Sequence, residues 1–85
     1  MVLKLRDGVS TAEVDYGAAL LDEDHGQYWN LNPTGALIIQ TLLAGGTAEQ
    51  AARALAEQYS VDIETASLDV AQLVEDLCSA GLVEK

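Results

Sequence analysis

The segment Ala18 to Leu43, AALLDEDHGQYWNLNPTGALIIQTLL, constrains the fold more than any other part of the sequence. An apolar run, Ala18–Leu21, meets the acidic turn Asp22-Glu23-Asp24-His25-Gly26, and a second extended run, Gln27–Leu31, follows. Asp and Gly in a short loop between two such runs favour a β-hairpin, because Gly takes the left-handed backbone that tight turns need. Asn32-Pro33 then opens a helix. The Asn side chain can accept from free N–H groups of the first turn, and Pro has no N–H to leave unsatisfied. The spacing predicts a hairpin feeding directly into a helix from Pro33 to about Ala44. Leu37, Ile38, Ile39, Leu42 and Leu43 form its apolar surface, and Gly45-Gly46 ends it with a left-handed cap.

Around this unit the chain reads in short elements. Met1–Leu5 alternates weakly, as a short strand does, and Arg6-Asp7-Gly8 reads as a turn. Val9–Tyr16 is ambiguous, with Val14 and Tyr16 two apart as in a strand. Thr47-Ala48-Glu49-Gln50 fits a capping box, and Ala48, Ala51, Ala52, Leu55, Ala56 and Tyr59 repeat on one helical face. Asp62 is the expected cap of a third helix, Ile63 to about Ala80, with Ala66, Val70, Leu73 and Leu77 as its central stripe. Ala71, Val74 and Cys78 widen that stripe to roughly 160°, more than one packing contact requires. Gly81 stops the helix, and Leu82-Val83 folds back as an apolar clip. Strands first and helices after make an α+β chain. The expected architecture is a winged helix-turn-helix, three antiparallel strands followed by three helices, in a single domain over residues 1–85.

The chain has 85 residues, and a chain of this length buries only about 60–65% of its unfolded surface, enough for one modest core. Its 14 acidic and 4 basic residues give a net charge of −10. Such a surface repels phosphate backbones and anionic membranes and attracts basic peptides. The third helix, moreover, has no Lys or Arg between Asp62 and Gly81. Nucleic-acid and membrane partners are therefore not expected. Cys78 is the single cysteine and has no internal disulfide partner. The N-terminus lacks the apolar run of a signal peptide, and no stretch approaches a membrane span, so a cytoplasmic protein is expected.

No catalytic constellation assembles along the chain, so an enzyme is not expected. His25 is the only histidine, and three adjacent carboxylates beside it are not a metal-ligand spacing. Cys78 has no histidine on its own helix and reads as a small apolar side chain. Ser67-Leu68 in an acidic chain suggests an acyl carrier protein, but it lies late, after a hairpin, and follows Ala66. Gly45-Gly46-Thr47 is too short for a phosphate loop and has no lysine beside it. Cofactors and metals are accordingly expected to be none.

Binding features are better marked. Tyr28 and Trp29 are adjacent, so on a strand they point to opposite faces, one toward the core and one toward whatever meets the sheet, unless both serve core or hairpin packing. If that strand is an edge, an extended peptide can add to it. Asp69 and Asp76, seven apart, lie about 20° from one another beside Leu73, as the acidic rim of an apolar groove or as a solvated face.

The segments LLDEDHGQYWNLNPTGALI, GGTAEQAARALAEQYSVD and SLDVAQLVEDLCSAGLVE resemble the PqqD-like family, recognition elements for ribosomally made, modified precursor peptides. The resemblance spans about Ala18 to Glu84. It is carried most specifically by Leu31-Asn32, Thr47, Asp69 and Gly81-Leu82-Val83. It implies a leader peptide added as a strand along Gln27, Tyr28, Trp29, Asn30 and Leu31, its side chains in a groove shared with Asp69, Leu73 and Asp76. It also implies a precursor leader, Lys-rich given the acidic groove, and a leader peptidase with a cyclase behind it. In length and in that groove the chain is similar to the leader-binding proteins of lasso-peptide clusters. A precursor chaperone for a radical enzyme in pyrroloquinoline quinone assembly, or a non-enzymatic winged-helix scaffold or regulator, stays open beside it.

Overall fold

The structure is a computed structural model and describes residues 3–84. In chain order its elements are β1 (Lys4–Leu5), β2 (Val9–Val14), β3 (Gly17–Asp22), β4 (Gln27–Leu31), α1 (Pro33–Leu43), α2 (Ala48–Tyr59), α3 (Ile63–Ser79) and β5 (Val83–Glu84). The hairpin forms where the acidic turn places it, with β3 and β4 paired antiparallel from Ala18↔Leu31 to Asp22↔Gln27. The ambiguous segment 9–16 resolves into β2, paired antiparallel with β3, followed by a turn at Asp15-Tyr16. In the sheet order β2-β3-β4 the apolar β3 is central, and β2 and β4 are both edges.

β4 can lie so close because residue 17 is glycine. A Cβ there would stand 2.0 Å from the Leu31 carbonyl oxygen, and its φ of +146° is one that side chains avoid. Asn32 caps α1 as its sequence implies, its Oδ1 accepting from Gly35 N at 2.8 Å, and Pro33 is the first helical residue. The helix ends with Gly45 N donating to Leu42 O at 3.1 Å and Gly46 N to Thr41 O at 3.0 Å. Gly45 supplies the φ of +95° that this paired closure demands.

α2 starts with the full capping box: Gln50 N donates to Thr47 Oγ1 at 3.0 Å, and Thr47 N donates to Gln50 Oε1 at 2.8 Å. Asp62 precedes α3 but makes no capping bond with its side chain, contrary to the expectation. The residue is exposed, so water can serve both its carboxylate and the free N–H groups.

Leu20, Leu42, Leu55 and Leu77 are fully buried at the centre of the core. Each such burial contributes about 1.5–3 kcal/mol of transfer free energy. Ala51 and Ala52 on α2 and Ala66 on α3 are equally buried, which lets the helices approach closely. β1 and β5 pair as a separate two-stranded ribbon, Leu5 opposite Val83, so of the expected Leu82-Val83 clip Val83 lies in a strand and Leu82 leads into it. Of the strand expected over Met1–Leu5, the first two residues lie outside the described residues. No helix is long and apolar enough to cross a membrane, among the described residues.

Candidate functional site at the open sheet edge

Among the described residues, β4 is paired on one side only, with β3. Its cross-strand partners decide which way each side chain faces. Gln27, Trp29 and Leu31 stand opposite Asp22, Leu20 and Ala18, on the face that carries the fully buried Leu20. Tyr28 and Asn30 stand opposite Leu21 and Ala19, on the other face. Leu31 is buried, whereas Trp29 is 40% and Tyr28 68% exposed. Neither aromatic ring enters the core. Trp29 has the correct side for it, but the space between β4 and the helices is open there.

That space is a cavity of about 220 Å³ walled by Gln27, Tyr28 and Trp29 on the strand side and Ala80 and Leu82 opposite, with Asp22 at its end. The arrangement joins an unpaired strand edge, an aromatic side chain and an apolar wall. Such a site binds an extended peptide through main-chain hydrogen bonds and admits alternate side chains into the hollow.

Asp22 closes the hairpin end of the site and is only 7% exposed. Its Oδ1 accepts from His25 N at 3.2 Å, and its Oδ2 meets His25 Nδ1 at 2.8 Å and Arg6 Nη2 at 2.9 Å. Arg6 also donates from Nε to the Gly81 carbonyl, tying this corner to the end of α3. Burial alone raises the Asp22 pKa. The hydrogen bonds from the His25 side chain and backbone, with the charges of His25 and Arg6, outweigh it and hold the carboxyl below its ordinary 3.8. The histidine of the turn thus acts as a brace for the hairpin. Among the described residues, no group of three or more His, Cys, Asp or Glu is placed to hold a metal ion.

Gln27, Tyr28, Trp29, Asn30 and Leu31 all lie on the edge strand. Asp69 and Asp76 lie exposed on α3, Asp76 Oδ1 accepting from Gln72 Nε2 at 2.9 Å, and Leu73 is half-buried against the core. None of these three walls the β4 cavity; its helical side is made by Ala80 and Leu82. Asp69, Leu73, Asp76 and Ala80 are nevertheless spaced 4, 3 and 4, which puts them within about 60° on one face of α3. Along the helix that face places an apolar residue between two carboxylates. Ala80, Leu82 and Asp22 are site residues that sequence reasoning missed. Extending the same spacing by one step from Asp76 would have found Ala80.

The family described as "Coenzyme PQQ synthesis protein D (PqqD)" matches residues 17–83. No curated protein matches the chain. Among solved structures it is similar to a lasso peptide synthetase B1 complexed with the leader peptide, at 40% identity and a TM-score of 0.93 over 100% of both chains. It is also similar to TbiB1 in complex with the TbiA(beta) leader peptide, at 31% identity and a TM-score of 0.85, covering 95% of this chain and 94% of that one.

Proposed function

Since the chain belongs to the PqqD family, we propose that it is a non-catalytic adaptor that binds the leader region of a ribosomally made precursor peptide, of the lasso class, by strand addition to β4. The observation that carries this is the open edge of β4 beside the cavity under Trp29, in a fold shared with two proteins solved with leader peptides. Main-chain bonds along Gln27–Leu31 give affinity for any extended segment, and the cavity selects an apolar side chain. Asp69 and Asp76, on the face of α3 that runs to Ala80, favour a leader carrying Lys or Arg at that end. The adaptor then presents the precursor to a separate leader peptidase, ahead of a ring-forming cyclase.

A titration of the protein with synthetic lasso-type leaders, followed by Trp29 fluorescence and calorimetry, tests the reading. Saturable binding at a Kd of about 10 nM to 1 μM, roughly −8 to −11 kcal/mol, is expected for one leader and none for its scrambled version. On binding, the β4 amides that do not bond β3 gain protection from hydrogen exchange. Absence of binding to every leader, by a folded protein, overturns the reading. The family description favours one competitor, the precursor of pyrroloquinoline quinone assembly, and its leader belongs in the same titration.

A further inference from the structure

We propose that the valley between the start of α2 and α3, which shares no residue with the β4 cavity, is a second docking surface, for an amphipathic helix of a partner protein whose apolar stripe is flanked by Lys or Arg. The valley holds about 590 Å³, larger than the cavity at β4, and is floored by Ala48, Val70, Ala71 and Val74 with Glu49 and Glu75 at its rims. These residues explain the width of the apolar arc on α3. Its middle fills the core, and one edge, Leu73, is half-buried against it. Val74 and Ala71, the other edge, lie about 100–160° further round.

Two further observations extend the surface. Leu68, 71% exposed, is the most exposed large apolar side chain among the described residues, and it adjoins Ala71 on the outer side of the valley. Glu64, Leu68, Ala71 and Glu75 are spaced 4, 3 and 4, so they form one strip with apolar residues between two acids.

The chemistry of the occupant follows. The α3 wall has its backbone groups bonded within the helix, and the first turn of α2 offers free N–H groups but no alternating row of donors and acceptors, so an extended strand finds no edge to pair with. Side chains alone can make the contact, which is how a helix lies in a groove, through anchors at i, i+3 or i+4, and i+7. A second copy of this chain would bring a net charge of −10 against the same acidic rim. A helix with flanking Lys or Arg complements it instead, and Arg53, on Glu49 at 2.5 Å, already shows a cation seated on that rim.

This surface does not depend on the leader reading, because its lining shares no residue with the β4 cavity. The test titrates the labelled full chain with a designed 14-residue Leu/Lys amphipathic helix, read by amide NMR, beside a scrambled Leu/Lys peptide and a Leu/Glu helix. Expected are shifts centred on Ala48, Ala71 and Glu75 with the Leu/Lys helix only. Ala71→Arg and Glu75→Lys should each weaken it at least tenfold while the Trp29 response to a leader stays unchanged. Both residues are exposed, so folding is not at stake. Equal binding of a control peptide, shifts centred on β4 or on Asp69 and Asp76, or no effect of either substitution overturns the proposal, as does the absence of saturable binding. Whether a leader binds β4 is decided by its own titration, so failure here and failure of the leader reading are told apart.

Discussion

Trp29 sits on the helix-facing side of its strand and yet keeps 40% of its surface exposed, an apolar area held open beside Ala80 and Leu82. A large aromatic residue in that position is the natural anchor of the proposed complex. Trp29→Ala is expected to weaken leader binding by about 2 kcal/mol or more, roughly thirtyfold, as measured by calorimetry. Because the ring is outside the core, the thermal midpoint of the free protein should change little. Asp22 shows the opposite case, a residue whose work is internal. Its folded pKa lies below the ordinary 3.8, so its contribution to stability is present above about pH 4 and is lost as pH falls through the folded value. Asp22→Asn should lower the thermal midpoint at pH 7, and the gap to the native protein should narrow on going to pH 3. A gap that stays constant would show that the charge of Asp22 is not what braces the turn.

At the scale of elements, the caps and the sheet make separable predictions. Thr47 Oγ1 accepts the Gln50 N–H at the start of α2, so Thr47→Ala should cost about 1 kcal/mol in urea unfolding. Gly17→Ala should cost more than about 1 kcal/mol, because the added Cβ meets the Leu31 carbonyl at 2.0 Å, and it should also disturb the end of β4. These elements were readable in the sequence because their signals are local: Asn32-Pro33, Thr47…Gln50 and the Ala/Leu spacing of α2 each sit within a few turns of chain. The weak alternation of Met1–Leu5 pointed to a strand where β1 lies, but its pairing with β5 was not readable, since β5 has only two residues and no period, and the pairing joins segments far apart in the chain. The same limit applies to the site. The strand Gln27–Leu31 was evident from its own residues. Ala80 follows from the helical spacing of Asp69 and Asp76, but Leu82 became part of the wall only through the packing at the end of α3 and the Arg6 bond to Gly81, neither of which has a local signature. The excess apolar width of α3 was visible, but that its far edge faces the start of α2 required the fold.

The whole molecule carries a net charge of −10, and that charge is distributed along surfaces rather than concentrated at a reactive centre. Asp69 and Asp76 are exposed on the face of α3 that runs to Ala80, and Glu64 and Glu75 are exposed on the strip that holds Leu68 and Ala71. A field of this sign attracts basic ligands from solution and acts mainly on the rate of encounter. If it guides a Lys-rich leader, raising salt from about 50 to 500 mM shortens the screening length to near 4 Å and should weaken binding several-fold, mostly through slower association. The strand bonds and the apolar cavity are insensitive to salt, so a residual affinity should persist at the upper end. Stopped-flow titration at Trp29 separates the two contributions. Association rates that do not change with salt would mean that the carboxylates are only a solvated face and that strand and cavity alone select the leader.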